Sequence, residues 1–201
     1  MTVPDVSDRT LTDLLSLEGR RAVVTGGAVG IGYAVAHRLA EAGAAVLIGD
    51  LHDTDDPVAS LRADTGAHVL GTHLDVSDTE SIVACADLAI DELGGLDIWV
   101  NNAGIYPSTP LLELTDESWD DVLDVNLRGS FVGAREAARR MAAAGGGGVI
   151  VNIASTAGFQ AAGPGVAHYV SSKHGLIGLT KSLAVELGPL GIRSLGVAPT
   201  L

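Results

Sequence analysis

The stretch Thr25-Gly26-Gly27-Ala28-Val29-Gly30-Ile31-Gly32 follows a short apolar run and leads directly into an alanine-rich segment with helical spacing. A tight turn without bulky side chains lets backbone N–H groups approach a pyrophosphate, and the helix N-terminus adds a partial positive charge. The glycine spacing is Gly-x-x-x-Gly-x-Gly. The stretch therefore predicts either a turn that holds a dinucleotide or a simple connection between a strand and a helix.

The rest of the chain repeats this strand-then-helix pattern. Short runs rich in Val and Ile alternate with longer segments at helical spacing, as in parallel strands joined by crossover helices. The predicted strands are residues 21–25, 45–50, 68–74, 96–101, 149–153 and 193–197. The predicted helices between them are residues 30–42, 55–65, 79–93, 116–144 and 167–187. This alternation predicts an α/β fold: one doubly wound parallel sheet, Rossmann-like, with six strands and helices on both faces.

Length and composition limit the class of protein. The 201 residues are 47% hydrophobic, which predicts a single domain over 1–201, with residues 1–19 as an N-terminal extension. A net charge of -13 argues against partners such as nucleic acid or an anionic membrane. The single cysteine, Cys85, allows neither an internal disulfide nor a thiolate zinc site. The sequence shows neither a signal-peptide pattern over residues 1–21 nor an apolar run of about 18 residues. With this cysteine content, we expect a cytoplasmic protein without a metal.

Asp50 closes the second predicted strand, 18 positions after Gly32. Dinucleotide folds place a carboxylate near this position on the adenosine ribose, where it would repel a 2′-phosphate. Val29 stands where an arginine could pair with that phosphate. Both residues favour NAD over NADP. The alternative is that Asp50 is an ordinary acidic residue at a strand end, before the polar pair His52-Asp53.

Tyr169 and Lys173 are four positions apart in a predicted helix, so their side chains share one face. The chain has only three tyrosines, which makes the pair unusual here. A nearby ammonium favours the anionic form of a phenol, so the pair can move a proton. The alternative is a packed tyrosine beside a solvated lysine.

In combination, these motifs resemble the short-chain dehydrogenase/reductase family, of the classical type. The resemblance runs from about Arg20 to Pro199. It implies an oxidoreductase that uses NAD and acts on a small-molecule secondary alcohol or ketone, as a homodimer or homotetramer. The motifs that carry the resemblance are the glycines at 26, 30 and 32, the stretch Asn101-Asn102-Ala103-Gly104, Ser155, and the Tyr169-x-x-x-Lys173 pair.

The resemblance also assigns residues to the cofactor. Besides Asp50, they lie in the glycine turn, after the third strand and after the fourth strand. Asn102 we interpret as structural, its amide linking neighbouring strands. The cofactor residues implied by the resemblance are Thr25, Gly26, Gly30, Ile31, Gly32, Asp75, Val76, Asn101, Ala103 and Gly104, together with Tyr169 and Lys173.

Four residues are implied to be catalytic. Tyr169 would move the alcohol proton, and Lys173 would assist the tyrosine and bind the nicotinamide ribose. Ser155, after the fifth strand, would stabilise charge on the reacting oxygen; its alternative role is to cap a turn. Asn126 matches an asparagine that holds a water between the lysine and solvent.

The histidines form no metal-binding motif, and we interpret all six mainly as surface or turn residues. For His168, beside Tyr169, the alternative is a side chain that faces the pocket. The segments predicted to line that pocket, Ile105 to Thr109 and Thr156 to Gly163, are mostly small and apolar, which favours an uncharged substrate. The six histidines are His37, His52, His68, His73, His168 and His174.

The resemblance ends with the sequence, at Pro199-Thr200-Leu201, where Thr200 replaces a glycine usual in the family. Family members continue through a substrate lid to a seventh strand, so we expect both to be absent here and the sixth strand to have an exposed edge. An incomplete chain is favoured over a naturally short form. Two other functions remain open: an NAD-binding protein without turnover, and an assembly module that uses the helices at 116–144 and 167–187.

Overall fold

A computed structural model of the protein describes residues 5–161 and 163–200. All strand pairings are parallel, and the single sheet has the order β3-β2-β1-β4-β5-β6. The predicted doubly wound sheet of six strands is therefore confirmed, and the predicted ends differ from the observed ones by at most two residues. The strands are β1 (Arg21–Thr25), β2 (Ala45–Asp50), β3 (Val69–His73), β4 (Ile98–Asn101), β5 (Gly148–Ile153) and β6 (Ile192–Val197).

Helices connect the strands, and three of them have the predicted ends. A short first helix lies in the predicted N-terminal extension, which is joined to the fold by a hydrogen bond from Leu17 N–H to the Ala42 carbonyl (2.7 Å). Two single 3₁₀ turns, Thr156–Gly158 and Gly188–Leu190, flank the last helix. The helices are α1 (Leu11–Leu15), α2 (Gly30–Glu41), α3 (Asp55–Thr65), α4 (Thr79–Leu93), α5 (Asp116–Leu123), α6 (Gly129–Ala144) and α7 (Ala167–Leu187).

The single helix predicted over 116–144 is wrong in its interior. A π turn at Asp124–Arg128 separates α5 from α6. The π turn contains Asn126, which is only 1% exposed and whose side chain bonds the backbone of a distant loop. Where α6 begins, a Cβ on Gly129 would lie 2.6 Å from the Val76 carbonyl oxygen. The helix therefore widens where one side chain must reach out and where its backbone passes close to another segment.

Two apolar layers, one on each face of the sheet, form the core. Neighbouring residues of one strand point to opposite faces, so Val23 packs in one layer and Val24 in the other. Trp99 of β4 and Met141 of α6 are buried in the first layer, which α4 and α6 cover. Burial of each large side chain stabilises the fold by about 1.5–3 kcal/mol. The prediction of helices on both faces is confirmed.

The strand order reverses its direction between β1 and β4. Connections from these two strands leave toward opposite sides of the sheet, which opens a crevice at their carboxyl ends. Thr25 ends β1 and Asn101 ends β4, so the glycine turn and the loop after β4 meet in this crevice. This position is where open α/β sheets bind ligands.

Candidate active site

The glycine turn between β1 and α2 is too tightly packed for side chains at Gly26, Gly27 and Gly32. Gly26 has a φ of +62°, and a Cβ there would lie 2.9 Å from the Cα of Ala103. A Cβ on Gly32 would lie 1.9 Å from the Gly26 carbonyl oxygen. No side chain caps the start of α2 at Val29. The amino end of α2, with Gly30 and Ile31, therefore faces the turn with the N–H groups that suit an anion.

Substituting Gly32 by alanine is expected to lower the free energy of unfolding by about 2–3 kcal/mol, because the new methyl group must displace backbone. Urea unfolding measures the change. Gly178→Ala on α7 is the matched control, since nothing lies within 4 Å of a Cβ there. It should stabilise the protein by about 0.5–1 kcal/mol. Equal stabilities for the two variants would contradict the packing described for the turn.

Thr25 and Asn102 join the end of β1 to the loop after β4. The Thr25 hydroxyl accepts hydrogen bonds from the backbone N–H groups of Asn102 and Ala103, each at 3.0 Å. The Asn102 amide donates to the carbonyls of Thr25 and Gly26, each at 2.9 Å. The structural interpretation of Asn102 is confirmed. These bonds hold Ala103 and Gly104 beside the glycine turn.

Asp50 lies at the same edge and supports the turn directly. Its carboxylate is buried, and it accepts the N–H groups of Ala28 (3.0 Å) and His52 (3.0 Å). Burial alone would raise the pKa of Asp50, but these bonds and the His52 ring, whose Nδ1 lies 2.8 Å from Oδ1, bring the pKa below its ordinary value. An ionised carboxylate therefore stands at the carboxyl end of β2.

Asp75 and Val76 follow β3 at this edge of the sheet. Asp75 accepts hydrogen bonds from the hydroxyl (2.7 Å) and the N–H (2.8 Å) of Ser77, and these bonds lower the pKa of its carboxyl. Val76 is buried, with its carbonyl against Gly129. Both residues lie at the edge of the sheet where the sequence predicts that a cofactor binds. Their contact with its adenine ring stays a prediction.

Asn101 ends β4 at the predicted edge of the sheet, but its side chain points away from the glycine turn. Its side chain is buried in the face of the sheet, where Oδ1 accepts the Trp99 indole N–H (2.7 Å). Its Nδ2 donates to the Ser130 carbonyl (3.0 Å) and to Asn152 Oδ1 (2.8 Å). These bonds use both amide hydrogens inside the fold. The structure therefore does not bring this side chain to the glycine turn, and only the backbone of Asn101 borders the crevice.

Tyr169 and Lys173 lie together near the start of α7. Lys173 Nζ is 5.7 Å from the centre of the Tyr169 ring and donates a hydrogen bond to the Ile153 carbonyl (2.8 Å). The lysine is 5% exposed, and burial lowers its pKa to about 8. The Tyr169 ring packs edge to face on Tyr106, with ring centres 6.3 Å apart. The alternative of a solvated lysine is wrong.

Ser155 follows β5 and begins the 3₁₀ turn at Thr156–Gly158. Its hydroxyl oxygen accepts a hydrogen bond from the Ala157 N–H (3.1 Å). Ser155 therefore caps this turn, which is the alternative role inferred from the sequence. The turn packs on α7: a Cβ on Gly158 would lie 2.8 Å from the Lys173 carbonyl oxygen. That bond leaves the O–H hydrogen of Ser155 for another acceptor. Capping and contact with a substrate are therefore compatible roles.

Asn126 connects the loop after β4 to α7. Its Oδ1 accepts the Ile105 N–H, and its Nδ2 donates to the Ile105 carbonyl, both at 2.8 Å. Nδ2 also donates to the Ser172 hydroxyl at 3.2 Å. The predicted water between Lys173 and solvent stays a prediction. The sequence indicates an unusual asparagine inside a helix, but not these partners.

His168 corrects the prediction for the histidines, because it is fully buried rather than a surface or turn residue. Its Nδ1 accepts the N–H of Tyr169 at 2.9 Å, which supplies a partner to the first turn of α7 where Val166 gives no side-chain cap. The sequence signal is its spacing: positions 168, 172 and 176 form one buried helix face. The other five histidines are exposed or half-buried.

No group of three or more potential metal ligands occurs among the described residues, and no helix within them is long and apolar enough to cross a membrane. What the crevice does bring together is a glycine turn, two ionised carboxylates, and the pair of Tyr169 and Lys173. A doubly wound sheet with such a turn at the reversal of strand order defines a Rossmann-like protein.

Comparisons with known proteins identify the family within this class. The sequence model of the short chain dehydrogenase family matches residues 20–201. The chain therefore belongs to the short-chain dehydrogenase/reductase family and is an oxidoreductase that acts on CH–OH groups of small molecules. D-threitol dehydrogenase of Mycolicibacterium smegmatis is 42% identical, over 92% of this chain and 71% of its own length.

Solved structures agree with this assignment. A short-chain type dehydrogenase/reductase from Mycobacterium marinum has a TM-score of 0.91 and 37% identity, over 94% of this chain and 76% of that protein. Carveol dehydrogenase from Mycobacterium avium, solved in complex with NAD, has a TM-score of 0.85 and 34% identity, over 92% of this chain and 71% of the carveol dehydrogenase chain. A nicotinamide cofactor follows from the family.

Proposed function

We propose that this protein transfers a hydride between NAD(H) and a secondary alcohol or ketone, with Tyr169 as the general acid and base. The observation that carries the proposal is the buried Lys173 ammonium, 5.7 Å from the Tyr169 ring centre, at the carboxyl edge that also holds the glycine turn. A buried cation costs more stability than its one hydrogen bond to the Ile153 carbonyl returns, which favours a functional reason for its place beside a phenol.

The residues around the crevice fit a dinucleotide. A Cβ at Gly26 or Gly32 would collide with backbone atoms, so these positions need glycine. The compact turn that results can come close to a pyrophosphate. Asp50 would accept bonds from the adenosine ribose, and Asp75 and Val76 would flank the adenine. The backbone around Asn101, Ala103 and Gly104 would line the nicotinamide side. The remaining residues proposed for the cofactor are Thr25, Gly30, Ile31, Tyr169 and Lys173.

The choice of NAD over NADP rests on charge. The Asp50 carboxylate is ionised because its pKa is lowered, so it would repel a 2′-phosphate. Val29 at the start of α2 is 61% exposed and offers that phosphate no cation. The NAD-bound relative from Mycobacterium avium supports the same choice.

Replacing Asp50 by asparagine is expected to narrow the preference for NADH over NADPH at least tenfold, because the charge is lost while an oxygen remains for the Ala28 N–H. Titration of both reduced cofactors by fluorescence gives the ratio of dissociation constants. Asp53→Asn, at an exposed carboxylate three residues after Asp50, is the control. An unchanged ratio in the Asp50 variant would remove this residue from the site.

Three side chains of the chain would handle the reacting group. Tyr169 would take the alcohol proton, or return one to the ketone oxygen, while the Lys173 ammonium favours its anionic form. The Ser155 hydroxyl would donate a hydrogen bond to the reacting oxygen as charge builds on it. Bound NAD would supply the hydride acceptor on the nicotinamide ring. Asn126 would hold the water through which Lys173 exchanges a proton with solvent.

The proposal is tested by mixing the purified chain with NAD and a panel of secondary alcohols, and by following NADH absorbance. Tyr106, which packs on Tyr169, and Phe159, in the second segment predicted to line the pocket, are 72% and 66% exposed, which supports uncharged substrates. Turnover restricted to strongly charged substrates would contradict this class. Absence of NAD binding would overturn the proposal, and binding without turnover would leave a dinucleotide-binding protein.

We also propose a homodimer or homotetramer, because large apolar side chains on α5, α6 and α7 face solvent in the single chain. Trp119, Phe131 and Val185 are 36%, 42% and 80% exposed. Analytical ultracentrifugation tests this, and a monomer at micromolar concentration would contradict it. The single domain over 1–201 and the cytoplasmic location remain predictions from the sequence.

A further inference from the structure

Ser172 is a fully buried polar residue between the two proposed catalytic side chains on α7. Its neighbour Ser171 is exposed. A hydroxyl group is costly to bury unless it finds hydrogen-bond partners. The partners of Ser172 therefore show what this residue does.

The Ser172 hydroxyl makes two hydrogen bonds, one in each direction along a chain of contacts. It donates to the carbonyl oxygen of Tyr169 at 2.7 Å. It accepts from Asn126 Nδ2 at 3.2 Å. One hydroxyl thus connects the backbone of the proposed general acid to a side chain on a different element.

Asn126 extends the chain of contacts to the loop after β4. Its amide bonds both the N–H and the carbonyl of Ile105, as a neighbouring strand would. Ile105 directly follows Gly104, and Ala103 lies against the glycine turn at Gly26. A continuous set of hydrogen bonds therefore runs from the proposed cofactor loop through Asn126 and Ser172 to the Tyr169 backbone.

The first turn of α7 depends on such contacts. Val166, the residue just before α7, makes no side-chain cap bond, so the turn that contains Tyr169 lacks the usual restraint. Instead, His168 Nδ1 accepts the Tyr169 N–H and Ser172 donates to the Tyr169 carbonyl. Side chains thus hold both polar backbone groups of Tyr169.

We propose that Ser172 is a positioning residue, which sets where the Tyr169 phenol stands relative to the loop at Gly104 and Ile105. It acts through the Tyr169 backbone and through Asn126. This inference rests on the proposed hydride transfer, because the position of the phenol affects the rate only if Tyr169 moves a proton in the reaction. A misplacement of about 1 Å at a reacting group can cost about 100-fold in rate.

Ser172→Ala is expected to lower kcat about tenfold and to leave the KM of the alcohol and the dissociation constant of NADH within about twofold. Ser171→Ala, one residue earlier and exposed, should change none of these values. A rise in KM that accounts for the whole loss, or a kcat within about twofold of wild type, would overturn the proposal.

A pair of variants with the same shape isolates the hydroxyl. Ser172→Thr keeps it and Ser172→Val replaces it by a methyl group, so any overpacking is common to both. We expect the threonine variant to recover kcat to within about threefold of wild type, and the valine variant to be at least as impaired as Ser172→Ala. Equal activity of the two folded variants would overturn the proposal. If neither folds, the comparison of Ser172→Ala with Ser171→Ala decides.

A measurement without turnover separates this inference from the proposed function. With tyrosine labelled by carbon-13 at Cζ, the three resonances belong to Tyr33, Tyr106 and Tyr169, and Tyr169→Phe identifies the last. Ser172→Ala should shift the Tyr169 resonance and leave Tyr33 unchanged, whereas Ser171→Ala should shift neither. An unmoved Tyr169 resonance would overturn the positioning role, even in an active enzyme. A wild-type chain without turnover would count against the hydride transfer alone.

Discussion

Replacing Tyr169 by phenylalanine is expected to lower kcat for NAD-dependent alcohol oxidation by about 10²–10⁴-fold. The substitution removes only the phenol oxygen, which is the group proposed to take the alcohol proton. The ring that packs on Tyr106 and lies 5.7 Å from Lys173 Nζ remains. NADH affinity should therefore stay within about threefold, since the glycine turn and Asp50 are untouched. Steady-state kinetics and a fluorescence titration of NADH measure the two quantities.

Tyr106→Phe is the matched control for this variant. Tyr106 belongs to the same ring pair, but it lies on the loop after β4 and is largely exposed. Its loss of a hydroxyl should change kcat by less than about threefold. If Tyr169→Phe retained a tenth or more of wild-type kcat, the phenol would not be the general acid and base, and the proposed mechanism would be wrong.

Lys173→Met is expected to abolish most turnover and, at pH 7, to raise the free energy of unfolding by about 1–3 kcal/mol. Burial lowers the pKa of Lys173 from the ordinary value of 10.5 to about 8. Below pH 8 the amine is charged in both the folded and the unfolded chain, so the folded state bears the full cost of burying a cation. The shift corresponds to about 3 kcal/mol, from which the lost hydrogen bond to the Ile153 carbonyl subtracts about 1 kcal/mol.

The stability difference between Lys173→Met and wild type should depend on pH. Between about pH 8 and 10.5 the unfolded lysine still holds its proton while the folded one has released it, so the stability of wild type rises with pH across this window. The advantage of Lys173→Met should therefore be largest at pH 7 and shrink toward pH 10. Urea unfolding at the two pH values, with the exposed Lys181→Met as control, makes the comparison. A difference in stability that does not depend on pH would contradict the cost of burying this charge.

The fold was largely predictable because its signals are local. Each strand is an apolar run and each of α3, α4 and α7 has clear ends in the sequence, so the alternation specified the sheet. The interruption at Asp124–Arg128 was not predictable, since helix periodicity does not reveal a widened turn. Its cause, the contact of Asn126 with Ile105, joins residues that are 21 positions apart.

The candidate site was predictable where one spacing defines the chemistry, as for Tyr169 and Lys173. It was less predictable where the direction of a side chain decides the role. Asn101 has the right position for the crevice, but its side chain points into the sheet face toward Trp99. Ser172 attracted no prediction, and His168 was interpreted mainly as a surface or turn residue, with a pocket-facing side chain as the alternative. Their hydrogen bonds to the Tyr169 backbone form only when the folded helix brings these groups within reach.

The π turn between α5 and α6 also constrains the length of the chain at that point. A π turn holds one residue more than an α-helical turn, so loss of one residue within 124–128 would restore α-helical spacing and leave α6 in nearly the same orientation. Met141 would then keep its place in the core. The contact that the widened turn provides, between Asn126 and the backbone of Ile105, would be the part that is lost. The number of residues in this segment is therefore as important for the position of Asn126 as the identity of the residues.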